Sequence, residues 1–350
     1  MPSSDPIPIT LALQGGGSLG AFTWGVLDCL LDRPELRIEA VSGASAGAMN
    51  AAMLVQGLAT GGSAEAKRLL EEFWFRVAIT PGCPDPGSQL LVPLTEMIAP
   101  VVDALRHTTR GLSRDQLNPL GLNPLRAVLE ELLDPSAFAK DCAPFLVVSA
   151  TRVRTGGARL FRGEQVTAQV LLASACLPQL FPPVEIEGEP YWDGGYASNP
   201  PLRALIVAGA PADILVVRTM PVERLDVPTS AAALIDRTNE LAFGAALRHE
   251  LGSLAFAQRV LADLPQLSGV LAGLRGARLH MIGAEEAFRA LKGASHQDPT
   301  AAFLQEMREL GHKSADQWLA GNLASIGVRS TVDLSAFADV LMSLGPKDGH

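Results

Sequence analysis

Apolar residues recur along the chain with two distinct periods. Residues 7–13 form a short apolar run that ends in glycines, which predicts a buried strand over Ile7–Leu13. From Ser18 to Leu31 the apolar positions Leu19, Phe22, Val26, Leu27, Leu30 and Leu31 return at helical spacing until Pro34 stops them. A second strand-length run, Ile38–Val41, leads into SGASAGAMNAAMLVQG, a glycine turn opening an alanine-rich helix expected to end near Gly57. Strand, glycine turn and helix, given twice, is the pattern of parallel βαβ units with sites at the carboxyl ends of the strands.

Further strands are expected at Phe145–Ala150, Ala158–Arg162 and Asp213–Arg218, with a last one in ARLHMIG. After Pro228 long helical patterns follow, over Ala231–Leu264, Asp298–Leu323 and Leu334–Leu344. Residues 77–123, rich in Pro and Gly, read as a partly helical insertion. Its apolar stretch from Leu90 to Leu105 is either core packing or a lid facing lipid. The domain organisation expected is an α/β unit over 7–220 and a C-terminal helical extension over 221–350 packed against it.

With 48% hydrophobic and 19% charged residues, the chain has enough apolar material for a sizeable core. A net charge of -9 gives no general attraction to nucleic acid or to an anionic membrane, so any transient membrane contact is expected to be apolar. Cys29, Cys83, Cys142 and Cys176 show neither CxxC pairs nor zinc spacing and read as reduced thiols. The start, MPSSDPIPITLALQGGG, lacks a secretory pattern, and no run of about 18 uninterrupted apolar residues offers a spanning anchor. A cytoplasmic protein, peripheral at most to a membrane, is expected, with no metal or organic cofactor.

The strongest chemical signal is Gly43-Ala44-Ser45-Ala46-Gly47, a GxSxG sequence between a predicted strand and a predicted helix. A nucleophile elbow needs small neighbours, because its serine occupies a strained turn and the glycines let adjacent backbones pass close by. The second signal, QGGGSLG over 14–20, also satisfies GxGxxG. A dinucleotide reading requires an acidic residue at the end of the next strand, and IEAV offers none there. The other reading makes the backbone amides of Gly16 and Gly17 an oxyanion hole beside Ser45. The third signal is YWDGG, which by itself reads as an Asp-Gly turn.

Together, QGGGSLG, GASAG and DGG, in that order, resemble the patatin-like phospholipases over about residues 9–220. The resemblance implies a three-layer α/β/α fold with a central, mostly parallel sheet. It also implies a Ser-Asp dyad, carried here by Ser45 as nucleophile and Asp193 as base. Gly15, Gly16 and Gly17 would form the oxyanion hole, and Gly20, Gly43, Gly47, Gly194 and Gly195 are the remaining motif glycines. The implied substrates are phospholipids or other fatty acyl esters. The chain departs from many members at Leu19, where a basic residue is common, so a supporting charge near the glycine loop is missing.

An aspartate with an ordinary pKa of about 3.9 is a weak base, and burial beside Tyr191 and Trp192 is expected to raise it. His280, on ARLHMIG, is the rival base, because it follows Ser45 and Asp193 in the chain order of ordinary α/β-hydrolases. The alternatives left open are an esterase or thioesterase of small soluble acyl groups and a non-catalytic lipid-binding scaffold.

Overall fold

The computed structural model describes residues 5–79, 123–291 and 298–337. The insertion expected at 77–123 and the Leu90–Leu105 stretch therefore lie almost wholly outside the described residues, as does most of Leu334–Leu344. One sheet of eight strands organises the rest: β1 (Ile7–Leu13), β2 (Leu36–Gly43), β3 (Phe145–Arg152), β4 (Ala158–Arg162), β5 (Val184–Ile186), β6 (Glu189–Asp193), β7 (Asp213–Val217) and β8 (Arg278–Ile282). The hydrogen-bonded order is β5-β6-β3-β2-β1-β7-β8, with β4 also on β3. The run β3-β2-β1-β7-β8 is parallel, and β4, β5 and β6 add antiparallel pairings. This is a mostly parallel α/β sheet with helices on its faces, as expected.

Alternation along each buried strand feeds two cores. Leu11 and Leu13 of β1, with Leu215 and Val217 of β7, face one cluster; Ala12, Ile214 and Val216 face the other. The first face is covered by α1 (Gly20–Leu31) and α2 (Ala46–Ile79), and by α3 (Leu125–Leu132) and α4 (Ala168–Ser174) further along. The second is covered by α5 (Leu202–Val207) and α6 (Ala231–Leu261), with α7 (Gly269–Gly276) beside them.

The alanine-rich helix does stop making a straight rod soon after Gly57, but helix resumes through Ile79. Gly62, at φ 72 and ψ -157, reverses the chain inside α2. A Cβ on Gly57 would lie 2.2 Å from Ala66 Cα, and the Trp74 indole N–H donates to Asn50 Oδ1 at 3.0 Å, so the two halves pack as a helical hairpin.

The C-terminal stretch supplies both a strand and a helix to this body. β8 pairs in parallel with β7, and α9 (Ala301–Asn322) crosses α1. The crossing is close because it runs through two glycines: a Cβ on Gly25 would lie 1.8 Å from Arg308 O, and one on Gly311 would lie 2.0 Å from Phe22 O. Arg308 donates to Asp28 at 2.8 Å and lies 4.2 Å over the Trp24 ring. The short helix α8 is Glu285–Ala290.

One pairing detail decides where the chemistry sits. β4 takes one edge of β3, over Val147–Thr151. The other edge is shared in succession: β2 pairs with Phe145–Val148, and β6, running the opposite way, pairs with Ala150–Arg152. Strand β2 therefore ends at Gly43, opposite Val148, where β6 arrives at Asp193, opposite Ala150. The two strand ends face each other in one lane with Ser149 between them.

Candidate active site

Ser45 occupies the turn between β2 and α2 with φ 54, the left-handed region that a residue with a Cβ adopts only under constraint. The constraint is visible in its neighbours. A Cβ on Gly43 would lie 2.4 Å from Gly47 O, and one on Gly47 would lie 2.2 Å from Leu13 O, so both positions admit only glycine. The Ser45 N–H donates to Ser174 Oγ at 2.9 Å, and the Ser45 carbonyl accepts from Ala48 and Met49, starting the helix. This is the strand, turn and helix context that a nucleophile elbow requires.

Parallel pairing of Leu13 with Gly43 sets the glycine loop beside this turn. A Cβ on Gly15 would lie 2.7 Å from both Ala44 O and Ser45 Cβ, and one on Gly20 would lie 2.6 Å from Ala46 Cβ. The loop is held at Gly15: its N–H donates to Asn199 Oδ1 at 2.7 Å, and its carbonyl accepts from Thr219 Oγ1 at 2.8 Å. Thr219 N–H in turn donates to Gln14 Oε1 at 3.1 Å. The expectation that Gly15 is an oxyanion donor is corrected here, because its amide is already committed to Asn199. Gly17, at φ 60, is exposed at the head of the turn that leads into α1. Leu19, where a charge is absent, is buried beneath it.

Asp193 is fully buried. Its backbone is fixed by Thr151 Oγ1, which donates to its carbonyl at 2.7 Å, and by Cys176 O, which accepts its N–H at 2.8 Å. Oδ1 accepts the Gly195 N–H at 2.7 Å, whereas Oδ2 has no hydrogen-bond partner. Gly194 packs so tightly that a Cβ there would lie 2.2 Å from Ser149 O. Burial raises the Asp193 carboxyl to about 7, against the smaller opposing pull of the Ser45 hydroxyl and the Gly195 amide. The Ser45 hydroxyl is thus a neighbour of this carboxyl that favours its charged form, without a closed hydrogen bond to Oδ2. Tyr196, the next ionisable group on this loop, is itself pushed up by burial.

The aromatic packing at Gly195, beside this carboxylate, was not legible as such. A Cβ on Gly195 would lie 2.4 Å from the Phe243 ring and 3.0 Å from Asp193 Oδ1, and Phe243 meets Tyr196 with centroids 4.6 Å apart. Tyr191, by contrast, turns its hydroxyl to Arg159. Sequence reading also missed Ser174, Asn199, Thr219 and Phe243 as partners of the site. Asn199 had one signal, the polar SNPP run that closely follows DGG.

His280 stands apart. It pairs with Leu215, which pairs with Leu11, so it sits at mid-strand and three strands from β2, roughly 14 Å at the usual strand spacing. Its Nε2 faces Asp213 Oδ1 at 3.1 Å and its Nδ1 faces Thr331 Oγ1 at 3.2 Å, and burial lowers its pKa. A cavity of about 320 Å³ opens near Asp213 and Arg278, at the opposite end of the strands from Ser45. It contains no nucleophile, and Asp213 and Arg278 satisfy each other. Among the described residues no three His, Cys, Asp or Glu side chains group as metal ligands, and no helix is long and apolar enough to cross a membrane.

Residues 11–206 match the family model described as patatin-like phospholipase. No curated protein matches the sequence. Among solved structures, VipD from Legionella pneumophila is similar at 17% identity and a TM-score of 0.40, over 91% of this chain and 67% of that one.

Proposed function

The chain belongs to the patatin-like phospholipase family, a family of lipid acyl hydrolases, and on that premise we propose that it is a serine acyl-ester hydrolase working through Ser45 and Asp193. The observation that carries this reading is the convergence of β2 and β6 on one edge of β3, which sets a constrained serine before a buried carboxylate with an unpaired oxygen.

In this reading Asp193 Oδ2 takes the Ser45 proton while Oγ bonds to the ester carbonyl carbon. The Gly16 and Gly17 amides, at the positive end of the turn into α1, hold the oxyanion. The tetrahedral intermediate collapses, the alcohol leaves with the proton from Asp193, and the acyl group stays on Ser45. Water then attacks the acyl-enzyme and gives a proton to Asp193; as the second tetrahedral intermediate collapses, Asp193 returns that proton to Ser45 Oγ and the fatty acid leaves. A carboxyl near 7 suits both roles, since it can accept and return a proton near neutral pH.

The substrate class is a phospholipid or related fatty acyl ester, reached by transient, mainly apolar contact with a lipid surface. Hydrolysis of acyl esters from short to long chains tests this, with Ser45→Ala as the blank. Turnover should rise with chain length and vanish in the variant. Best turnover on acetyl or butyryl esters would move the assignment to a small-molecule esterase.

A further inference from the structure

Helix α6 lies beyond the residues that match the family model, yet it packs on the Asp193 loop directly and reaches the glycine loop through one side chain. The link is Asn199, which is wholly buried. Its Oδ1 accepts the Gly15 N–H at 2.7 Å, and its Nδ2 donates to the Phe243 carbonyl of α6 at 3.3 Å. The amide has one possible orientation, since an N–H can meet only the oxygen and a carbonyl can meet only the NH2 group.

From these contacts we infer that Asn199 is a positioning residue of the site, and that α6 is part of the catalytic apparatus through Phe243. This rests on the acyl-hydrolase reading and adds to it the parts that hold the oxyanion loop against the base.

The geometry gives each contact a task. Gly15 abuts Ser45, and Gly16 and Gly17 follow it directly, so fixing the Gly15 amide fixes where the next amides point. Thr219 holds the Gly15 carbonyl from just past the end of β7, and Asn199 holds its N–H from the Asp193 loop. The Phe243 ring closes over Gly195 beside the Asp193 carboxylate, which keeps water from it. A second tie binds α5, the helix that follows this loop, to α6: Glu250 accepts from both the backbone N–H and the Nε of Arg203, at 3.2 and 2.9 Å. A shift of α6 would therefore disturb base and oxyanion loop together.

The test compares wild type, Asn199→Ala and Phe243→Leu on a p-nitrophenyl acyl ester. Rates are normalised to active sites titrated with a fluorophosphonate, and amide hydrogen exchange is followed over residues 14–20. For Asn199→Ala, kcat should fall roughly 10- to 100-fold with KM little changed, the size expected from leaving a buried donor unpaired at the site. Exchange in the glycine loop should rise. Phe243→Leu keeps the backbone carbonyl and much of the apolar volume but opens the cover, so the acid limb of kcat/KM should move to lower pH as water reaches Asp193.

Unchanged kcat in Asn199→Ala, or lost kcat with glycine-loop exchange unchanged, overturns the inference. Should Asn199→Ala fail to fold, Phe243→Leu decides: an acid limb that does not move overturns the part given to α6. A wild type that hydrolyses no acyl ester overturns the underlying reading instead, and that is known before any variant is compared. The exchange data would still show whether Asn199 holds the loop.

Discussion

Gly15 and Ser45 are in van der Waals apposition, so close that a methyl group on the glycine would lie 2.7 Å from the serine Cβ. The contact fixes the distance between the glycine loop and Ser45, the proposed nucleophile, and gives Gly15 a place in the proposed site although its amide is occupied by Asn199.

Gly15→Ala should therefore inactivate more than it destabilises. The added carbon also lies 2.7 Å from Ala44 O, which is backbone and cannot rotate away. Overpacking of this kind typically costs about 1–3 kcal/mol. A urea melt should show a loss in that range, while kcat falls by more than about a hundredfold because the two loops are pushed apart. Full activity would show that the apposition is irrelevant to turnover.

Asp193→Asn should separate stability from catalysis. The folded protein raises this carboxyl from 3.8 to about 7, so it holds the proton more tightly than the unfolded chain does. Stability is then highest below about pH 4, falls as pH climbs to about 7 and stays reduced above it, by up to about 4 kcal/mol. The asparagine variant should be as stable as wild type at pH 4 and more stable at pH 8, yet inactive. Equal stability at pH 8 would mean that the carboxylate is better solvated than its burial implies.

Ser174→Ala removes the acceptor for the Ser45 N–H and leaves a buried donor unpaired. A loss of about 1–3 kcal/mol is expected in chemical denaturation. The turn at φ 54 should relax, lowering kcat with little change in KM.

His280→Ala should do the opposite of Asp193→Asn. The imidazole bridges Asp213 and Thr331 inside the sheet, so its removal should lower the unfolding midpoint while turnover per folded molecule and the pH profile are retained. Loss of turnover in a folded variant would return histidine to consideration as the base.

Much of this architecture was legible in the chain. β1 and β2 stand out because parallel strands buried on both faces read as short apolar runs, and the glycines after each mark where backbone must pass close. The Ser45 elbow followed from GxSxG in that context, and Asp193 from its company with the two glycine motifs. The β5-β6 hairpin was not legible: VEI is three residues long, and EPYWD carries a proline that weakens any strand reading. The ties that complete the site were hidden for a different reason. Gly15 and Asn199 are 184 positions apart, and Phe243 lies in a helix whose spacing reveals that it packs but not against what. The crossing of α1 and α9 at Gly25 and Gly311 was equally invisible, since each glycine alone only weakens a helix.

The most direct test of the Ser45 and Asp193 pairing is the pH dependence of covalent labelling by a fluorophosphonate, with the adduct located by peptide mass mapping. The account predicts a single adduct on Ser45, a labelling rate that rises with pH through a pKa of about 7, and loss of that step in Asp193→Asn. An adduct elsewhere, or the same pH step persisting in Asp193→Asn, would contradict it.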